Sequence, residues 1–274
     1  MHKSAFDGSF YDSDKGDLRR FVDSAIKRTA IRENPGSAFA YVAPHAGYMY
    51  SGKIAAFAYK SLALNKRLES TDTVIVVGPN HTGMGRPISV SMDDWKTPLG
   101  NSVNDKELSR AIVDSSEYIE RDEEAHIGEH SIEVQLPFLQ TVAPEKRLVF
   151  ICMGDQSLNV SELLSEAIIG AARGLGRRVM VIASSDMNHY ESAETAKIKD
   201  SVLIEAMKAL DYRRFNALVG ELDESACGYG PITVAMRFSK SMGAKKGLVL
   251  RYGNSGEATG DYSGVVAYLA FAMV

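Results

Sequence analysis

Short, near-continuous apolar runs separated by longer amphipathic stretches recur along this 274-residue chain and leave it few ways to fold. The runs are Ala38–Ala43, Thr73–Gly78, Ile88–Ser91, Leu148–Met153, Val179–Ser184, Gly247–Tyr252 and Val265–Ala270. A run such as Val74-Ile75-Val76-Val77 has no polar alternate residues, so a strand built from it needs cover on both faces. Between the runs, Asp17–Arg32, Gly52–Leu64, Asp105–Ser115, Ser131–Leu139, Ser161–Gly174, Ala193–Leu210 and Gly230–Ser241 place apolar residues three and four apart, the pattern of helices with one buried face. Such alternation implies right-handed crossovers. The expected fold is therefore α/β, a three-layer α/β/α sandwich around a mixed, largely parallel central sheet.

No linker, repeat or low-complexity tract divides the chain, which reads as a single domain over residues 1–274. Lys and Arg number 31 against 35 Asp and Glu, a net charge of −4 that argues against a nucleic-acid binder driven by bulk charge. The N-terminus has no apolar signal region, and no window approaches the roughly 18 apolar residues of a spanning helix, so no membrane partner is expected. The two cysteines, Cys152 and Cys227, form no C-x-x-C pair and fit a reducing, cytoplasmic setting. A chain this long can bury roughly 75% of its unfolded surface. It needs no metal merely to fold.

In an open α/β sheet, ligands bind outside the carboxyl ends of the strands. Ala40-Tyr41-Val42-Ala43-Pro44 runs into His45, and Val74-Ile75-Val76-Val77-Gly78-Pro79-Asn80 runs into His81. Val179–Ser185 runs into Asp186, with His189 three positions later. One such histidine is ordinarily a loop residue bonded to nearby backbone. Four metal-competent side chains at three strand ends instead point to one shared ion, and two histidines with one carboxylate is the set used by non-haem Fe(II) oxygenases.

Two other segments compete. His126-Ile127-Gly128-Glu129-His130 spells H-x-x-E-H, the zinc-hydrolase pattern when it lies on a helix. Gly128 costs a helix about 1 kcal/mol, and the better helix start is Ser131, so His126 and Glu129 are expected on a loop. Glu129 and Glu133 then read as solvated or helix-N-terminal carboxylates. Cys227, in Ser225-Ala226-Cys227-Gly228-Tyr229-Gly230-Pro231, leads into a helix and reads equally as a ligating thiolate or a small buried hydrophobe. Cys152, inside an apolar run, reads as core. Ser184 and Ser185 lack a G-x-S-x-G setting and are expected to cap the next segment or support a neighbouring ligand. The glycines assemble no phosphate-binding loop.

An ordered set of segments resembles the Memo family. It comprises Ala43-Pro44-His45-Ala46-Gly47-Tyr48, Gly78-Pro79-Asn80-His81, Glu129-His130-Ser131-Ile132-Glu133-Val134-Gln135-Leu136-Pro137-Phe138-Leu139, Ser184-Ser185-Asp186-Met187-Asn188-His189-Tyr190, Cys227-Gly228 and Tyr262-Ser263-Gly264-Val265-Val266. The resemblance implies a fold like that of the class III extradiol dioxygenases, with a non-haem iron pocket in the corresponding place. It implies His45, His81 and Cys227 as ligands, Asp186 and His189 lining the pocket, and His189 or His130 as acid–base groups. A thiolate in place of those enzymes' glutamate admits copper or zinc besides Fe(II). The substrate implied is a small organic molecule. Animal members of the family are described as signalling adaptors that bind phosphotyrosine peptides, so an anionic peptide is a second implied ligand, and microbial members often accompany radical-SAM proteins.

Overall fold

The computed structural model describes residues 1–31, 35–223 and 225–274, and the apolar runs form its strands. In chain order these are β1 (His2–Lys3), β2 (Ala40–Ala43), β3 (Thr73–Pro79), β4 (Ile88–Ser91), β5 (Trp95–Thr97) and β6 (Gly100–Ser102). There follow β7 (Ile119–Arg121), β8 (Arg147–Met153), β9 (Val179–Ser184), β10 (His189–Glu191), β11 (Gly247–Asn254) and β12 (Val265–Met273). The helices are α1 (Lys15–Arg28), α2 (Lys53–Ala63), α3 (Lys66–Ser70), α4 (Lys106–Val113) and α5 (Leu136–Val142), then α6 (Leu158–Gly174), α7 (Ala193–Lys208), α8 (Tyr212–Glu221), α9 (Tyr229–Ser241) and α10 (Gly256–Thr259).

One sheet runs β10-β12-β2-β9-β3-β8-β4-β7, with β11 also paired to β12. Its centre, β2-β9-β3-β8, is parallel, whereas β12 joins β2 and β4 joins β8 antiparallel. The sheet is therefore mixed. A smaller sheet, β1-β5-β6, lies apart from it.

Alternate residues of each central strand enter different cores. Val42, Ile75, Val77, Ile151 and Val181 meet α4, α6, α7, α8 and α9 on one face, while Tyr41, Val74, Val76, Phe150 and Ile182 meet α1, α2 and α5 on the other. This two-sided burial is why the runs carry no polar alternates, and it makes the three layers expected from the sequence.

Several boundaries differ, by a few residues at α6, α7, β11 and β12 and more instructively at three places. The first helix ends at Arg28, where Lys27 and Arg28 complement its C-terminus; Arg32, its expected end, lies outside the described residues. The helix expected over Ser131–Leu139 is a tight 3₁₀ turn at Glu133–Gln135 followed by α5, with Pro137 in the first turn, where its missing N–H costs nothing. A π-helical turn, Tyr48–Gly52, precedes α2.

Candidate metal centre

Strands β2, β9 and β3 are adjacent and parallel, with Ala43 opposite Ser184 and Val77 opposite Ala183. Their carboxyl ends therefore share one edge, and the residues that follow them, His45, Asp186 and His81, meet there. β9 lies between the two histidine-bearing strands. Cys227 arrives from the loop before α9, and Gly228 lets that loop close: a Cβ at Gly228 would sit 2.3 Å from the Ser184 carbonyl oxygen and 2.7 Å from Ser185 Cβ. Gly78 does the same at the end of β3, where a Cβ would meet Ser131 Oγ at 2.4 Å. Gln156 fixes the cysteine loop from the end of β8, its Nε2 donating to the Cys227 carbonyl (2.8 Å) and its Oε1 accepting from the Gly230 amide (2.8 Å).

His45, His81 and Cys227 each offer a ligand atom, all within 4.8 Å of one another. Cys227 Sγ lies 3.1 Å from His45 Nε2. The tautomer of His45 follows from its other nitrogen. Nδ1 is 2.8 Å from Ser184 Oγ, and that hydroxyl gives its one proton to the Ser131 carbonyl at 2.6 Å. Ser184 must then accept from Nδ1–H, which leaves the Nε2 lone pair facing the sulfur. Gln135 supports this arrangement, donating from Nε2 to Ser184 Oγ (2.7 Å) and the Pro44 carbonyl (3.1 Å) while its Oε1 accepts from Tyr59 OH (2.7 Å).

His81 is set by a carboxylate. Glu129 accepts from its Nδ1 (2.9 Å) and its backbone amide, and from the Ser131 amide (2.8 Å). Nδ1 thus carries the proton and Nε2 is the nitrogen free for a metal, the carboxylate–histidine arrangement found behind metal ligands. Glu129 is 0% exposed. Burial alone would raise its carboxyl, but the hydrogen bonds and charge of His81 and the Ser131 amide bring it down to about 2.

Electrostatics keep the other groups uncharged. Burial, reinforced by the neighbouring imidazoles of His130, His81 and His189, holds His45 well below the usual histidine range. Burial, reinforced by Asp186, raises the Cys227 thiol. A neutral imidazole is ready to ligate, whereas the thiol requires a cation to replace its proton. The donor set therefore fits a soft or borderline metal, for which imidazole and thiolate are suitable ligands.

Asp186, the alternative third ligand, lies outside this set. Its Oδ1 accepts the His45 amide at 2.8 Å and its own amide approaches Cys227 Sγ at 3.3 Å, so it ties the two residues together through the backbone. Burial raises its carboxyl to about 7 against the opposing pull of the His45 and Ala46 amides. His189 flanks the site with its ring nitrogen Nδ1 buried, burial lowers its imidazole against the opposing effect of the Ser225 and Met187 backbone, and its amide donates to Ser225 Oγ at 2.7 Å. Ser185 accepts the Gly228 amide at 2.9 Å, a supporting role in line with expectation.

His130 packs with the trio rather than joining it. Its ring stacks on His81 (centroids 4.5 Å apart, 25° between planes) and meets His45 edge-on at 5.2 Å. The H-x-x-E-H reading fails here. Residues 127–130 are not helical, Gly128 has φ +69°, and His126 lies 0% exposed and edge-on against Trp95, away from the ligand groups that include His130. Without a helix, two histidines four apart do not share a face.

Glu129 and Glu133 are not solvated, since both are buried, although Glu133 does stand in the first turn of the 3₁₀ helix, as one of the two expectations had it. Glu133, 1% exposed, accepts from the Ala5 and Phe6 amides (both 2.9 Å) and from Tyr11 OH (2.6 Å). These bonds hold the N-terminal segment so that Phe6 and Phe10 pack against the His130 ring, at 5.5 and 4.7 Å. Gln135 and Gln156 were missed outright, because nothing in a lone glutamine marks it as a support.

Fold and site together define an α/β protein with a His–His–Cys cluster at the carboxyl edge of a parallel sheet core. The chain belongs to the Memo family: residues 2–272 match the family described as Memo-like protein. It is 42% identical over 273 residues to a MEMO1 family protein of Desulfurococcus amylolyticus, covering 96% of this chain and 95% of that one. A MEMO1 family protein of Methanosarcina mazei is 41% identical over 275 residues, covering 98% of each. Among solved structures, an uncharacterized protein from Escherichia coli K12 shares the fold with a TM-score of 0.55 at 14% identity, over 86% of this chain and 99% of that one. Among the described residues, no helix is long and apolar enough to cross a membrane.

Proposed function

We propose that the protein holds a transition metal on His45, His81 and Cys227 and uses it in the oxidation of a small organic substrate. The observation that carries this reading is the convergence of two imidazoles and a thiol, their ligand atoms within 4.8 Å, at the carboxyl edge of the parallel strands. Iron(II) is the first assignment, with copper and zinc admitted by the thiolate. Bound there, iron(II) would supply redox capacity and coordination positions open to an oxidant and substrate.

The chain's own residues supply the rest. Ser184 and Glu129 orient the two imidazoles. Asp186, with its carboxyl near 7, is the group placed to hold a proton near neutral pH, and His189, whose imidazole burial holds below the usual histidine range, is the group beside it that can exchange one. Phe6 and Phe10 pack against the His130 ring and cover part of that side.

The thiolate favours a second reading, in which the same pocket holds metal, or an anionic peptide beside it, without turnover. Oxygen uptake by anaerobically iron-loaded protein given catechols separates the two. The shared metal assignment is tested with Cu(II) added anaerobically to reduced protein. A thiolate-to-copper charge-transfer band is expected in wild type and in Cys152→Ser and absent in Cys227→Ser and His45→Ala. A band that survives Cys227→Ser overturns the assignment.

A further inference from the structure

The His130 ring is mostly enclosed, with 19% of its side chain exposed, yet neither ring nitrogen has a hydrogen-bond partner among the described residues. Its nearest charged neighbour is Glu129, whose Oε1 lies 3.5 Å from His130 Nδ1 and 2.9 Å from His81 Nδ1. His81, Glu129 and His130 form a second set whose ligand atoms all lie within 4.8 Å of one another. Two donors bonded to one ion at about 2.0–2.1 Å, with right-angled to tetrahedral bond angles, stand roughly 2.9–3.4 Å apart. The two separations from Glu129 Oε1 are close to that spacing.

We infer that Glu129, His130 and Nδ1 of His81 form a second metal site, for a divalent ion of the zinc class, and that His81 bridges it to the first. The inference rests on the reading of His45, His81 and Cys227 as a metal-binding trio, which uses the opposite nitrogen of the His81 ring. When the second ion enters, it replaces the proton that Nδ1 now gives to Glu129. That proton leaves to solvent, and His81 becomes an imidazolate between two cations. The fully buried Glu129 carboxylate and the imidazolate supply negative charge, and imidazole with carboxylate is a donor set that zinc accepts. His130 is then a ligand rather than the acid–base group expected from the sequence. The second ion supplies Nδ1 of His130 with the partner it lacks among the described residues.

The test is a titration of the reduced, anaerobic, full-length apoprotein with Zn(II) in competition with a chromophoric chelator. Two equivalents are expected in wild type and one in Glu129→Gln and in His130→Gln. Because the His130 side chain makes no hydrogen bond among the described residues, His130→Gln carries the test even if Glu129→Gln fails to fold, which circular dichroism reads. One equivalent in wild type overturns the second site and leaves the trio standing. Two equivalents in His130→Gln also overturn it. No equivalents in wild type would remove both sites together.

Discussion

His45 Nδ1 donates to Ser184 Oγ at 2.8 Å because the serine's own proton is already committed to the Ser131 carbonyl. A hydroxyl at the end of β9 thus decides which nitrogen of a histidine on the neighbouring strand carries a lone pair. Ser184→Ala removes that choice, leaves the buried Ser131 carbonyl without its hydroxyl donor, and leaves Gln135 Nε2 only the Pro44 and Ala43 carbonyls to donate to. Metal affinity is expected to fall 10–100-fold, the usual effect of losing a group that orients a ligand. Stability is expected to fall by about 1–3 kcal/mol for each group left unsatisfied. Chelator competition and denaturant unfolding read the two effects separately.

Gly228→Ala tests how Cys227 is brought in. The added Cβ meets the Ser184 carbonyl at 2.3 Å, and neither β9 nor the loop can give by that much without moving the sulfur. The copper charge-transfer band is expected to be lost or strongly weakened. Gly220→Ala in α8 is the control, since nothing lies within 4 Å of its Cβ. It should leave the band intact and add up to about 0.5–1 kcal/mol of stability.

His126 predicts a pH dependence unrelated to the metal trio. Burial lowers its pKa from 6.5 to about 4, with His2 adding to the effect and Asp122 and Glu129 opposing it. The unfolded chain therefore takes up a proton before the folded one does. The neutral histidine's contribution to stability is fully present above pH 6.5 and is lost as pH falls towards 4. His126→Leu should flatten this part of the profile, since each unit of pKa separation is worth about 1.4 kcal/mol. Urea unfolding of both proteins at pH 7.5, 5.5 and 4.5 checks it, and parallel profiles would contradict it.

Metal removal should leave the fold intact. The two apolar cores on either face of the sheet contain none of the ligand atoms. The apoprotein is expected to melt cooperatively. Adding metal at a hundredfold excess over its dissociation constant should raise stability by about 2.7 kcal/mol. An apoprotein without a cooperative transition would show that the metal builds the fold.

The sheet was legible in the sequence because its central strands are covered on both faces, so Val74–Val77 and Val179–Ile182 had to be apolar throughout. The positions of His45 and His81 followed, since parallel strands end at one edge. The small elements did not: β5, β7 and β10 have three residues each, too few for any period to show. α8 was missed although Phe215, Leu218 and Val219 carry its buried face, because Arg213, Arg214 and Asn216 crowd its short first turns. Glu129 and Glu133 misled for a different reason. Their burial depends on amides and rings at positions 5, 6, 11 and 81, and no local pattern announces partners that distant. Cys227 read from its loop alone equally as ligand or core, because what aims its sulfur at His45, the close fit of Gly228 against β9 and the Gln156 clamp from the end of β8, comes from residues distant in the chain.

The most direct test of the central claim is anomalous diffraction at the iron edge from crystals of anaerobically iron-loaded protein. A peak is expected within about 2.0–2.4 Å of His45 Nε2, His81 Nε2 and Cys227 Sγ, with Asp186 still bound to the His45 amide. A peak ligated by Asp186 in place of Cys227, or no peak at the ends of β2 and β3, would contradict the claim.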